Sequence, residues 1–135
     1  IPVLRRGDRT MIHLGVDPNL SVKFSKLTDR RDNPGMLSST AHRIRIFRTD
    51  LRLNPNSGPV DVLIEEALPQ VRDERIDVSA VQMQPAPLSD PESLRLREGG
   101  IYRWRVHLAP GASQRITWGY DAAFDEDLNP VFTER

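Results

Sequence analysis

Apolar and polar residues alternate with a period of two along most of this chain, most clearly between residues 99 and 124. Tyr102, Trp104, Val106 and Leu108 alternate with Arg103, Arg105 and His107. Beyond Ala109-Pro110-Gly111-Ala112-Ser113 the alternation resumes, with Ile116, Trp118 and Tyr120 against Arg115, Thr117 and Asp121. Two such runs joined by five turn-prone residues predict a β-hairpin with one buried and one wet face. A symmetric closure sets Trp104 opposite Trp118, Tyr102 opposite Tyr120 and Val106 opposite Ile116. That pairing gathers both tryptophans and both tyrosines of the protein at the centre of the core.

The rest of the chain repeats the theme. Arg6-Gly7-Asp8 reads as a turn into a short strand over residues 10–14. Leu20, Val22 and Phe24 alternate with Ser21, Lys23 and Ser25, and Asp29-Arg30-Arg31-Asp32-Asn33-Pro34-Gly35 reads as a charged hairpin tip. A long strand over residues 41–53 changes apolar parity between Ile44/Ile46 and Phe47/Leu51/Leu53, which predicts a bulge near Phe47 or a passage toward the other sheet. Val60, Val62 and Ile64 face inward in the next strand, with Asp61 and Glu65 outward. Ile76, Val78 and Ala80, then Val81 and Met83, give a further strand with its own parity slip. Pro85, Pro87 and Pro91 mark a loop, and Leu94 and Leu96 supply a short edge strand.

No apolar i, i+3, i+4, i+7 pattern lasts for the roughly 11 residues of a helix. Turn signals recur about every 8–12 residues. The prediction is an all-β fold, an antiparallel β-sandwich of immunoglobulin-like or fibronectin-like type with about seven strands. It occupies residues 1–124, and residues 125–135 form a polar C-terminal tail.

Composition narrows the function classes. The 135 residues form a single domain by length and carry no cysteine, which excludes disulfides, thiolate metal sites and thiol catalysis. The 19 basic and 19 acidic side chains balance, against a nucleic-acid binder held by phosphate contacts. No apolar run approaches the ~18 residues of a membrane span. Seventeen of the cations are Arg and only Lys23 and Lys26 are Lys, a bias that suits bidentate contacts to anions or reflects codon usage.

Candidate chemistry is sparse. His13, His42 and His107 lie in or beside predicted strands without metal-ligand spacing. No Gly-x-Ser-x-Gly elbow is present, and Glu65-Glu66 and Glu126-Asp127 read as solvated acids at strand ends. Asp125-x-Asp127-x-Asn129 begins like a calcium loop, but Pro130 stands where Gly is needed. The expectation is a protein that is not an enzyme and carries no metal or cofactor. The remaining signal is basic: on the wet face of the hairpin Arg103, Arg105, His107 and Arg115 stand together, with Arg43 and Arg45 joining them if their strand lies in that sheet. Such a ladder suits an anionic partner, unless acids on adjacent strands neutralise it.

Several segments in order give the chain a family likeness. They are Arg6-Gly7-Asp8 into Leu14-Gly15-Val16-Asp17, Leu53-Asn54, Pro59-Val60-Asp61-Val62 to Leu68-Pro69, and Glu74-Arg75-Ile76-Asp77-Val78. Gly100-Ile101-Tyr102-Arg103-Trp104, Leu108-Ala109-Pro110-Gly111 and Ile116 to Tyr120 complete the set. Together they resemble the C-terminal domain, of unknown function, of the mucoidy inhibitor A family. The resemblance implies a β-sandwich module preceded, in full-length members, by a smaller domain and a helical coiled coil, with no established catalytic residues. The expected function is therefore a non-catalytic interaction or scaffold module within a longer bacterial protein, in the cytoplasm or the cell envelope. Its expected partner is its own upstream coiled coil or another protein. The alternative is a carbohydrate-binding module for an anionic cell-surface polysaccharide.

Overall fold

A computed structural model describes the backbone of residues 3–5 and all of residues 19–132. The predicted turn at Arg6-Gly7-Asp8, the strand over residues 10–14 and His13 lie outside the described residues. In chain order the elements are β1 (Val3–Arg5), β2 (Leu20–Asp32), β3 (Thr40–Leu53), β4 (Val60–Ala67), β5 (Asp77–Gln84), α1 (Pro91–Glu98), β6 (Ile101–Leu108) and β7 (Ser113–Asp125). They form two sheets, a three-stranded one ordered β1-β4-β6 and a four-stranded one ordered β2-β3-β7-β5. Every neighbouring pair is antiparallel except β1 and β4, which run parallel. The all-β sandwich expected from the alternation is the architecture found.

The expected hairpin is not. β6 pairs with β4 along its whole length, and β7 lies between β3 and β5, so the two aromatic strands belong to different sheets and face each other across the core. Two physical reasons decide this. In the hairpin register His107 would stand opposite Arg115 and Arg103 opposite Gly119. The register with β4 instead sets Asp61 against His107, within hydrogen-bond reach, and Glu65 against Arg103 as an ion pair, and such complementary cross-strand pairs stabilise a register where two basic side chains do not. The connection agrees. Ala112 N–H donates to the Ala109 carbonyl at 2.9 Å, with Pro110 and Gly111 between and φ of +78° at Gly111. That is the signature of a type II turn, which splays strands apart where a two-residue hairpin needs a primed turn. Residues 109–112 therefore form an arch between sheets.

Burial follows the predicted parity all the same. Trp104, Val106, Leu108, Val62 and Ile64 from one sheet meet Phe47, Leu51, Leu53, Ile116, Trp118 and Tyr120 from the other in one buried cluster. Trp104 is 2% exposed and Trp118 1%. Trp118 stacks on Phe47 at a centroid distance of 4.5 Å, and Trp104 Nε1 donates to the Pro85 carbonyl at 2.8 Å. Trp104 thus buries its apolar body and still satisfies its indole N–H on the rim.

The parity change in β3 resolves differently from expectation. β3 pairs with β7 without interruption, its odd-numbered residues facing inward throughout and Ile44 and Ile46 facing outward. The bulge lies on β2 instead, where the register shifts between Lys26 and Thr28 opposite Phe47 and Ile46. Ile46 is buried on the outer face because its cross-strand neighbour is Gly119. A Cβ at that position would lie 2.5 Å from the Arg45 carbonyl oxygen and 3.1 Å from Ile46 Cγ1. The slip in β5 is a second bulge, with Gln82 at φ 52° and a register shift between Val81 and Gln84.

Leu94 and Leu96, expected in a short edge strand, lie instead in α1, which begins at Pro91 in the expected loop. Asp90 caps it, accepting hydrogen bonds from the Ser93 amide and hydroxyl, and Pro91 begins it. Eight residues with Leu94 and Leu96 as the apolar pair are too few for a periodicity test, but Asp-Pro-Glu is a helix-start signature. The helix lies beside β6, and the segment before it covers that strand's open edge, with Leu88 N–H donating to the Arg103 carbonyl at 2.8 Å. Of residues 125–135, read as a polar tail, the described part through residue 132 carries Phe132 into the buried cluster and packs Leu128 against it.

Candidate interaction surfaces

The predicted basic face is divided by the fold. Arg103, Arg105 and His107 project from β6 on the outside of the three-stranded sheet, whereas Arg115 projects from β7 on the outside of the other sheet. The four residues are not brought together, because the strands that carry them are not neighbours. Acids on the adjacent strand meet two of them. Arg103 Nε lies 3.4 Å from Glu65 Oε1, and its Nη1 lies 3.7 Å from Glu92 of α1. His107 Nδ1 lies 2.7 Å from Asp61 Oδ1. Arg105 stands opposite Leu63 and shares a hollow of about 320 Å3 with Asp90 and Glu92. Glu65 and Glu66, read as solvated strand-end acids, are both buried in β4.

Arg43 and Arg45 do not join any outer ladder, since odd positions of β3 face inward. β2, β3 and β7 run for 13, 14 and 13 residues against 8 for β4 and β6. At about 3.3 Å per residue the larger sheet outruns the smaller by some 15 Å. On its inward side at that end, Asp29 accepts hydrogen bonds from Arg43 Nε at 2.7 Å, Arg45 Nε at 3.2 Å and Lys26 Nζ at 3.3 Å. Burial pulls the Asp29 carboxyl upward, but the hydrogen bonds from Arg45, Arg43 and Lys26 outweigh it and hold its pKa below the ordinary 3.8. Arg45 also ties down the C-terminal segment, donating through Nη1 to Tyr120 Oη and to the Phe132 carbonyl, each at 3.0 Å. Arg31 does the same through the Glu126 carbonyl at 3.1 Å, with its guanidinium 5.2 Å from the Phe124 ring centroid.

The ribbon of β2 and β3 ends in residues 33–39, where Met36 and Leu37 are both fully exposed. Among the described residues they are the most exposed large apolar side chains. At the opposite end of the same ribbon, on the outer face, Asp50 stands opposite Lys23 and Arg115, with Arg48 and Arg52 two residues away on its own strand. Arg115 Nε donates to Asp50 Oδ1 at 2.9 Å, and Arg48 Nε lies 2.9 Å from Asp50 Oδ2. The hydrogen bond from Arg115 is the main cause of a depressed Asp50 pKa, with Arg48 adding to it against a smaller opposing effect of burial. The register-dependent grouping of Lys23, Arg48, Arg52 and Arg115 has no signal within any single strand beyond the wet parity of each.

The histidines and acids serve the scaffold. His42 Nδ1 lies 2.9 Å from Asp121 Oδ1 across β3 and β7, and Asp125 accepts from the Asp127 amide in a turn. Among the described residues no three His, Asp or Glu side chains are grouped to hold a metal ion, and no helix is long and apolar enough to cross a membrane.

Comparison with known proteins places this geometry. Protein F37C4.5 of Caenorhabditis elegans is 28% identical over 115 residues, covering 81% of this chain and 20% of that protein, so the chain spans about a fifth of its relative's length. No solved structure matches. Residues 2–126 match the family described as Domain of unknown function (DUF4139), and the chain belongs to that family.

Proposed function

We propose that the domain is a non-catalytic interaction or scaffold module of a longer protein, of the mucoidy inhibitor A type. On this reading it docks its own coiled-coil segment or another protein domain. The observation that carries the reading is the β2–β3 ribbon, which outruns the smaller sheet and presents Met36 and Leu37 side by side at its tip. Adjacent, fully exposed apolar side chains on a projecting ribbon are costly in water and suited to insertion into a partner's groove. The cross-strand pairs Arg103–Glu65, His107–Asp61 and His42–Asp121 support the same reading, since these polar side chains are engaged in holding strands together.

Light scattering tests it. The domain mixed with the coiled-coil segment of the full-length protein forms a complex, and Met36→Ser with Leu37→Ser weakens it by about tenfold or more. A wild-type domain that stays monomeric beside that segment, or a double variant that binds as well as the parent, overturns the assignment. The polysaccharide alternative draws less support. Trp104 and Trp118 are buried rather than available as sugar platforms, and Arg103, Arg105 and His107 face away from Arg115.

A further inference from the structure

We propose that the outer face of the four-stranded sheet around Asp50 is a docking site for an acidic peptide segment, recognised through Lys23, Arg48, Arg52 and Arg115. The proposal rests on the interaction-module reading but uses a different surface from the ribbon tip.

The register makes the case. Three parallel rows cross β2, β3 and β7 on this face: Ser21–Arg52–Ser113, Lys23–Asp50–Arg115 and Ser25–Arg48–Thr117. Asp50 occupies the centre, and its four nearest positions on the grid are all cationic. One carboxylate serves two of them, Arg48 and Arg115. Among the described residues no acid lies within ion-pair distance of Lys23 or Arg52. The block therefore carries three surplus positive charges in a protein whose total is zero, over a patch about 10 Å by 14 Å. Surplus charge this concentrated raises the local concentration of an anionic partner and selects its sign.

The shape and chemistry favour carboxylates on a peptide. Two shallow hollows of about 480 and 520 Å3 share Ser21 and Arg52 and run from Arg115 to Pro55. No aromatic side chain stands in the three rows, so the patch lacks the stacking surface that a sugar ring would use. Alternate side chains of an extended peptide repeat at about 6.8 Å, the spacing of Arg48, Asp50 and Arg52 along β3. Arg forks take carboxylates bidentately, and the hydroxyls of Ser21 and Ser113 flank them.

Fluorescence anisotropy of the whole chain with a labelled peptide of alternating Asp and Glu tests the site at low salt. Saturable binding is expected, with Lys23→Ser plus Arg52→Ser weakening it by about tenfold or more. Arg52→Glu reverses one charge at the same place and is expected to abolish binding. Arg105→Ser on the opposite sheet and Met36→Ser plus Leu37→Ser at the ribbon tip leave it unchanged, so failure of this site is separable from failure of the ribbon. Absence of saturable binding, equal loss with Arg105→Ser, or tighter binding of polygalacturonate than of the peptide each overturns the proposal.

Discussion

The outer face of β4 and β6 and the patch around Asp50 on the other sheet carry similar residues and differ in how their charges are matched. On the three-stranded sheet, β4 sets an acid directly across from two of the three basic residues of β6, and α1 brings Glu92 to the same guanidinium that Glu65 already meets. At the Asp50 end of the four-stranded sheet one acid is surrounded by four cations, and two of those, Lys23 and Arg52, have no acid within ion-pair distance among the described residues. Charge on a sheet surface is thus a property of register rather than of composition. A balanced chain, and even a sheet face whose acids Asp32, Asp77, Asp121 and Asp125 gather toward one end, can leave a basic patch at the other.

This contrast predicts unequal costs. The largest belongs to Arg103, whose side chain is 14% exposed beside a Glu65 side chain at 10%. Arg103→Ala, followed by urea unfolding, is expected to lose about 2–4 kcal/mol, because it removes the cation from between two carboxylates, one of them nearly buried. A loss under about 0.5 kcal/mol would mean that the neutral face is not held by its charges.

A smaller effect comes with acid. Asp50 and Asp29 both titrate below their ordinary value in the folded protein. Their contribution to stability is full above the unfolded value of 3.8 and is lost as the pH falls through the depressed folded values. The melting temperature is therefore expected to fall between about pH 5 and pH 2, and Arg115→Ala flattens that fall. Because Arg115 is largely exposed, its removal costs under about 1 kcal/mol at neutral pH. An unchanged acid profile in Arg115→Ala would show that Asp50 is not held by that guanidinium.

The smallest effect is expected at Lys23 and Arg52. Lys23→Ser and Arg52→Ser each leave the unfolding free energy within about 0.5 kcal/mol of the parent, as measured by thermal or urea melts. A clear loss would show that the basic patch serves the fold rather than a partner.

Much of the fold was legible from alternation alone. Trp104, Val106 and Leu108, like Ile116, Trp118 and Tyr120, reveal their buried side locally, because the strand period is two whatever the partner. Pairing is a different kind of information. Parity says which way a side chain points but not whether the next aromatic strand lies beside it or across the core, and the hairpin reading failed at that step. Pro110-Gly111 held the missing signal, as a type II turn, and Asp61 and Glu65 held the matching charges. The candidate site was less legible still, since Lys23, Arg48, Arg52 and Arg115 come from three strands and meet only once β2, β3 and β7 are in register. Ile44 and Ile46 misled for a related reason: an apolar pair on the outer face mimics a change of parity where Gly119 makes room for it.

The arch at residues 109–112 has a consequence for how the molecule assembles. It joins the two sheets through four residues, whereas the link from β3 to β4 takes six and the stretch from β5 to β6 takes sixteen. Loop closure costs least entropy where the loop is short, so laying β6 against β7 beside the arch is the cheapest of these three crossings between the sheets. A sandwich dominated by distant pairings is slow to fold. Here the two strands that bring Trp104 and Trp118 into the core are also the ones joined by the shortest of these three links.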